Sequence, residues 1–386
     1  MKLTLREALK LNIMKKMKLI VGEKGIKREI TKVGILDYEM DEVIVENFNE
    51  GEFALSTLVS IKDDISKLYS MVEKLIEVKA SGLAIKSIFF DRIPDDVYKV
   101  ASKNEFPIFI FNETYFEDII TEINNEIYLR SISKNVETKI DKLINESLSK
   151  FSVRSIAKEI NSEFNETHIV GSLKLINEDK YKSSLEYMLN LDYMISEKDK
   201  LVFYKDKYFF IKTFENNIKE YRKNTESMYG DLVSLGFKVD DYIIAFSDMH
   251  SELAELDISL NESLYALDYL LVNKEKSISY REIGMNKFLL ALKDNEWIEK
   301  YYYSLIAPIL KYDKENNSYL LETLDNYIRF SSDVKKTAEY MHQHGNTIRY
   351  RITKIKELVK GVCSEETFLS EYSIIINLYR IYNKGL

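Results

Sequence analysis

Between Leu3 and Ile127 short apolar runs alternate with stretches of helical period. Gly82-Leu-Ala-Ile-Lys and Phe106-Pro-Ile-Phe-Ile-Phe are unbroken apolar runs of strand length. By contrast Ile65, Leu68, Tyr69, Val72, Leu75 and Ile76 recur at the spacing of one helix face, which predicts a helix over Ile65 to Val78. The layout is that of an α/β domain. From Asp118 to Phe151 there is neither Gly nor Pro, and Leu129, Ile132, Val136, Ile140 and Leu143 follow one another at steps of 3, 4, 4 and 3. That pattern predicts one long amphipathic helix with a seam able to pair with a second copy, or to lie on its own domain.

A second α/β pattern runs from Val153 to about Leu292. Leu201-Val-Phe-Tyr and Tyr208-Phe-Phe-Ile-Lys-Thr-Phe flank the polar turn Lys205-Asp206-Lys207, Tyr242-Ile-Ile-Ala-Phe is a further strand, and Leu260 to Val272 has helical period. After Lys293 the strand signals stop. The remainder is helical, with a polar loop expected at Tyr312 to Asn317.

Four helices are expected beyond that loop. Leu321, Leu324 and Ile328 line the first, Ser331-Ser332-Asp333 supplies an N-cap for the second, and Val334, Thr337, Ala338 and Met341 form the second helix's inner face. Small Ala338 suits a close helix crossing. His342-Gln-His-Gly345 is the turn, and Gly345 or Asn346 opens the third helix. On that helix Ile348, Ile352, Ile355 and Val359 fall within roughly 30° of one direction, a narrow apolar stripe. The wet face then presents Asn346, Thr347, Arg349, Tyr350, Thr353 and Lys354, with Arg351 at its border. Arginine and asparagine suit guanine and adenine edges; tyrosine, threonine and lysine suit phosphates or the thymine methyl.

Charge sharpens this reading. The chain of 386 residues has a net charge of −8, which excludes a protein that coats nucleic acid over its whole surface. Yet Val334 to Lys360 holds seven cations, among them Lys335 and Lys336, against Glu339 and Glu357: a balance of +5 that leaves −13 for the rest. Such a local inversion is the footprint of a phosphate-binding patch. The length implies two or three domains, and an apolar fraction of 45% is enough to build their cores. Cys363 is the only cysteine, so no intramolecular disulfide and no cysteine-based zinc cluster can form, and a reducing compartment is expected. Lys2, Arg6, Lys10, Lys15 and Lys16 interrupt the first residues, and no window of spanning length is free of charge, so neither a secretion signal nor a membrane span is expected. A cytoplasmic location follows.

Leu320-Leu-Glu-Thr-Leu, Thr337-Ala338 and Asn346-Thr-Ile-Arg-Tyr-Arg-Ile-Thr-Lys-Ile-Lys-Glu-Leu358 resemble the C-terminal signature of the PucR (purine catabolism regulator) family. Tyr280-Arg-Glu-Ile-Gly-Met-Asn-Lys-Phe-Leu-Leu is similar to the GGDEF-like middle domain of the same regulators. Leu5-Arg-Glu-Ala-Leu, Asn49-Glu-Gly-Glu-Phe-Ala-Leu-Ser-Thr and the strand after Pro107 resemble their sensory domain. The resemblance implies a dimeric transcription factor bound to a double-stranded DNA operator, with an N-terminal half that senses a small metabolite of purine, amino-acid or other nitrogen metabolism. Two positions depart from the pattern: His342 stands where the family favours glycine, and Gly345 where it favours a basic residue. Either a left-handed backbone at His342 is strained by roughly 1 kcal/mol, or the turn differs slightly from the family's.

The expected fold is therefore an α/β sensory domain (1–128), a connector helix with possible dimerisation (129–152), an α+β, degenerate GGDEF-like domain (153–292), and an all-α C-terminal domain (293–386) with its helix-turn-helix at 334–360. No cofactor or metal is expected. The turn Lys205-Asp206-Lys207 lacks the Gly-Gly and paired carboxylates a diguanylate cyclase needs for nucleotide and Mg²⁺, so no enzymatic activity is expected. His342 and His344 alone make a poor metal site, and Cys363 is an incidental buried thiol. The carboxylates Asp37, Glu39, Asp41 and Glu42 form a charged loop, or hold a cation or amine. At the strand ends bracketed by Phe48 to Thr57 and Phe89 to Pro94, Ser56, Thr57 and Arg92 could meet a polar effector; equally, the two hydroxyls could cap the following segment. Two other classes compete with the DNA-binding regulator: an adaptor whose helical tail docks a partner chain, and a nucleotide-signalling enzyme.

Overall fold

The computed structural model describes residues 3–38, 41–176, 196–215 and 220–383. They fall into two compact units, one reaching to Thr138 and the other starting at Lys139. The side chains of Glu39, Asp41 and Glu42 lie outside the described residues.

The first unit is built on a five-stranded sheet of β1 (Lys18–Val21), β2 (Lys32–Ile35), β3 (Glu52–Ser56), β4 (Gly82–Lys86) and β5 (Ile108–Phe111), in the order β1-β5-β4-β3-β2. The last four are parallel and β1 is antiparallel. Parallel strands need crossovers, and the helices α1 (Asp41–Asn47), α2 (Leu68–Glu77) and α3 (Asp95–Lys103) provide them. Alternation along β3 and β4 sends side chains to two cores. Ala54, Leu83 and Ile85 pack with Leu68, Val72 and Leu75 of α2, while Phe53, Leu55 and Ala84 pack with Ile119 and Ile123 of the following helix and with Leu3 and Leu5. Gly82 is required where it stands: a Cβ there would lie 2.9 Å from the Pro107 carbonyl oxygen and 3.3 Å from the Phe53 ring.

The long helix differs from the expectation. α4 (Phe116–Asn145) stops six residues before Phe151, and a new helix α5 (Lys150–Ile160) starts behind Ser149, whose hydroxyl accepts from Ser152 N. The absence of Gly and Pro concealed this break because a serine N-cap ends one helix and begins the next without either. Along the expected seam Val136, Ile140 and Leu143 are buried, whereas Ile132 is exposed and Leu129 half-buried.

The second unit's sheet comprises β6 (Thr167–Leu175), β7 (Lys200–Tyr204), β8 (Lys207–Phe214), β9 (Tyr242–Phe246) and β10 (Ser277–Ser279), in the order β7-β8-β6-β9-β10. β7 and β8 form the expected hairpin, with Lys205 left-handed at φ 57°. α6 (Tyr221–Ser234) and α7 (Leu256–Asn273) complete this layer, and α8 (Asn286–Leu292), α9 (Glu296–Asn316), α10 (Leu320–Arg329), α11 (Val334–Tyr340), α12 (Gly345–Val359) and α13 (Phe368–Tyr382) follow. The middle sheet and these helices share one apolar core: Ala266, Leu267 and Leu270 of α7 and Leu289 and Leu290 of α8 belong to the same cluster as Leu305, Ile309, Ile348 and Ile375. The loop expected at Tyr312 to Asn317 is instead the last turns of α9, which ends at left-handed Asn317. Its charged residues are solvated on a helix, and one of them is structural. Asp313 accepts from Ser318 Oγ at 2.5 Å, Leu320 N at 2.8 Å and Leu321 N at 2.9 Å, and so caps α10.

A polar cluster gathers around the buried ring of His168. His168 and His250 pair by backbone (2.9 and 3.1 Å), and their rings stack at 5.8 Å. The His250 ring lies between Glu255 and Glu262, 3.0 Å from each, so both nitrogens donate and its pKa is raised to about 8, chiefly by the bond to Glu262. His168 has Ser259 Oγ at 2.8 Å and the Glu166 carbonyl at 3.0 Å, and burial lowers its pKa to about 4. The two act in different windows. The stabilisation from His250 is complete below its unfolded pKa of about 6.5 and is lost as pH rises through about 8. That from neutral His168 is present above about 6.5 and is lost as pH falls toward about 4. Denaturant titrations should therefore show stability falling by an amount on the order of 1–2 kcal/mol between about pH 6.5 and 8.5. His250→Gln should flatten that slope, and an unchanged slope in the variant would remove the ion-pair account.

Candidate nucleic-acid interface

Two successive helix exits shape this region. α10 ends with Ser331 N on Ile328 O (2.9 Å) and Ser332 N on Tyr327 O (2.8 Å), both serines being left-handed at φ 52° and 66°. Asp333 then caps α11, accepting from Lys335 N at 2.8 Å and Lys336 N at 3.1 Å. α11 leaves by the same motif: His342 N meets Glu339 O at 3.3 Å and Gln343 N meets Ala338 O at 2.9 Å, with His342 at φ 50°. Of the two alternatives at this departure from the family pattern, a left-handed His342 or a different turn, the structure has the left-handed residue. His344 caps α12 through Nδ1, 3.2 Å from Asn346 N, a role its sequence position did not announce because histidine is not among the common N-cap residues.

The inner stripe is as expected, with Ile348, Ile352, Ile355 and Val359 all buried beside Ala338 and Thr337. The outer face divides into side chains that point to water and side chains that are held. Asn346, Arg349, Tyr350 and Thr353 are exposed, Tyr350 by 63%, and Thr347 is half-buried. Arg349 Nη1 donates to Asn346 Oδ1 at 3.0 Å, so the arginine and the amide are already aligned side by side on the first turns. Lys335 and Lys336 stand exposed on the first turn of α11.

Arg351, at the border of that face, and Lys354 are half-buried and bonded to neighbouring residues. Arg351 Nη1 donates to Thr323 Oγ1 of α10 at 3.0 Å, and its guanidinium lies over the Tyr319 ring at 5.6 Å. Lys354 is 3.2 Å from Glu357 and lies over Tyr312 of α9 at 5.4 Å. Lys356 likewise pairs with Glu365 at 3.2 Å. A wheel assigns angles on one helix and carries no information about hydroxyls and rings on its neighbours. Gly345 leaves room for a side chain: a Cβ there would make only ordinary contacts, 3.7 Å to Val334 and 3.8 Å to Arg349.

In the N-terminal unit Ser56 and Thr57 are joined to Asp37. The buried Ser56 hydroxyl donates to the Leu36 carbonyl and accepts from Leu58 N at 2.9 Å. The Asp37 carboxylate accepts from Thr57 N (2.6 Å) and Thr57 Oγ1 (2.9 Å). The Ser56 hydroxyl thus bonds the Leu58 amide, the Thr57 hydroxyl bonds Asp37, and no side chain caps the turn at Val59–Ile61. Arg92 is exposed, and the structure does not bring it together with them in any hydrogen bond among the described residues.

Two short helices joined by a tight turn, the second with a buried aliphatic stripe and a polar outer face, define a helix-turn-helix domain. Residues 320–361 match the PucR C-terminal helix-turn-helix domain, and residues 7–127 match the purine catabolism regulatory protein-like (PucR) family, so both ends of the chain carry PucR-family domains. These are domains of regulators, not of enzymes. Among characterised relatives, the DNA-binding transcriptional activator AdeR of Bacillus subtilis is 24% identical over 32% of this chain and 30% of its own. The proline-responsive transcriptional activator PutR of the same organism is 28% identical over 30% of this chain and 29% of its own. A Haemophilus influenzae protein of uncharacterised role is 26% identical over 52% of this chain and 53% of its own. The matched stretches thus span between 29% and 53% of those relatives. A solved structure, a regulator of polyketide synthase expression from Bifidobacterium adolescentis, aligns with 63% of this chain and 98% of its own at 13% identity, but with a TM-score of only 0.25.

Since glycine is at ease in the left-handed region, His342→Gly should stabilise the protein by about 1 kcal/mol and raise Tm by roughly 2–4 °C. Calorimetry measures this, and a lowered Tm would show that the His342 side chain contributes more than its backbone costs.

Proposed function

We propose that this protein is a sequence-specific DNA-binding transcriptional regulator, acting in the cytoplasm as a homodimer and controlled by a small metabolite bound in its N-terminal half. The observation that carries this reading is α12: its aliphatic stripe is buried, so Asn346, Arg349, Tyr350 and Thr353 face outward beside Lys335 and Lys336. No helix among the described residues is long and apolar enough to cross a membrane. The dimer reading draws support from Tyr128 and Ile132, exposed on α4 at 64% and 39%. The division into sensory (1–128), connector (129–152), middle (153–292) and DNA-binding (293–386) segments belongs to the same proposal.

The middle segment is proposed as a degenerate GGDEF-like domain. A five-stranded sheet with the β7–β8 hairpin at one edge supports this. At the hairpin tip Asp206 is paired with Lys174 at 2.9 Å and Lys207 at 3.1 Å, and these partners hold its pKa down to about 2. A carboxylate already neutralised by two lysines is poorly placed to bind Mg²⁺. Incubation with GTP and Mg²⁺ should give no cyclic dinucleotide.

Binding to DNA upstream of the protein's own and neighbouring genes tests the main reading. Arg349→Ala should cost about 1–3 kcal/mol at cognate sequence and relax specificity, whereas Lys335→Ala should weaken all sequences alike and reduce the salt slope by about 1. Arg351→Ala should lower Tm, since it removes the bond to Thr323 and the contact with Tyr319. Unchanged affinity and specificity in Arg349→Ala would defeat the assignment of α12 as the reading helix.

A further inference from the structure

The strands of the N-terminal sheet have two ends, and a cavity lies at the end opposite Ser56 and Thr57. Where the chain enters β3 and β4, Gly51 and Ser81 line a cavity of about 500 Å³ together with Lys27, Arg28, Ile76 and Lys79. That is within the roughly 300–1,000 Å³ typical of small-molecule pockets.

Three cations, Lys27, Arg28 and Lys79, line the cavity together with two carboxylates, Glu29 and Glu50. Lys79 is 4.0 Å from Glu50, a loose pair at its rim. Arg28 is bound differently: Nη1 donates to the Ala80 carbonyl and Nη2 to the Asn104 carbonyl, both at 2.9 Å, with the guanidinium over the Phe106 ring at 5.5 Å. The fork is thus held in place by dipoles and a ring, and no hydrogen bond or ion pair joins it to a carboxylate among the described residues. Burial accordingly pushes its pKa down, countered only by the field of Glu105. Two hydrogen bonds engage two of the five guanidinium N–H groups. Lys27 stands exposed beside it. Ser81 adds a buried hydroxyl without a hydrogen-bond partner among the described residues. Ile76 gives the wall an apolar portion.

We propose that this cavity binds a small organic acid, its carboxylate taken by the fixed Arg28 fork and by Lys27, and its apolar body laid against Ile76. The inference deepens the sensory role proposed above, because such an acid would be the class of effector. A preorganised guanidinium loses little freedom on binding a planar carboxylate, and two charge-assisted bonds make it selective over the matching amide.

The experiment is calorimetric titration of the full chain with hexanoate and succinate, and with hexanamide, succinamide and inorganic phosphate at equal ionic strength. At least one carboxylate should bind saturably, about tenfold or more tightly than its amide, and exposed Lys27→Glu should weaken it by about tenfold while leaving the melting curve unchanged. Arg28→Lys, which keeps the charge but not the fork, should weaken it as well. The proposal is overturned if neither acid binds, if amide and acid bind alike, if phosphate binds more tightly than both acids, or if Lys27→Glu binds as the parent does. Operator binding by the parent chain separates the two readings: DNA binding with no acid binding sinks this inference alone, whereas no DNA binding sinks the regulator reading.

Discussion

Burial of one aliphatic stripe governs the C-terminal half. Ile348, Ile352, Ile355 and Val359 enter a core that also holds Leu270, Leu289, Leu305 and Ile375, and each such side chain is worth about 1.5–3 kcal/mol when taken from water. Rotating α12 about its axis would expose all four together, so its orientation is held by several times the energy of any single polar contact on its surface. The direction in which Arg349 and Asn346 face is a consequence of what lies behind them. The capping residues refine this. Asp313 of α9 starts α10, Asp333 starts α11, and His344 starts α12, so the segments around the turn have little freedom to slide.

The outer face carries less available charge than its composition suggests. Seven cations lie between Val334 and Lys360, yet Lys354 and Lys356 are each paired with a glutamate and Arg351 turns back onto Thr323 and Tyr319. Counterion release on DNA counts only cations that reach phosphates, so a slope inferred from the net charge of this segment would be too steep. The rings of Tyr312 and Tyr319 seat these cations on the neighbouring helices, so part of the basic patch also serves packing.

What was legible in the sequence was the part set by local periodicity. The runs at Gly82 and Tyr242, the hairpin around Lys205, and the stripe and turn of the helix-turn-helix all appear where their patterns placed them. Errors arose where one residue type permits two outcomes. Ser149 and Asn317 decide helix ends that neither Gly nor Pro marks, so the pattern makes α4 too long and α9 too short. Long-range partners were out of reach altogether. Nothing near Ser56 in sequence indicates that Asp37 and the Leu36 carbonyl will meet its loop, and nothing near Arg28 indicates the carbonyls of Ala80 and Asn104.

The shared core of the second unit has a consequence for how such a molecule could be taken apart. Leu267 and Leu270 on α7 and Leu289 and Leu290 on α8 lie before residue 293, and their neighbours Leu305, Ile309 and Ile375 lie after it. A protease nick or a gene truncation at that point would leave two complementary greasy surfaces, each in search of the other. Modular shuffling of the DNA-reading end onto foreign sensors would therefore succeed only when the middle sheet travels with it.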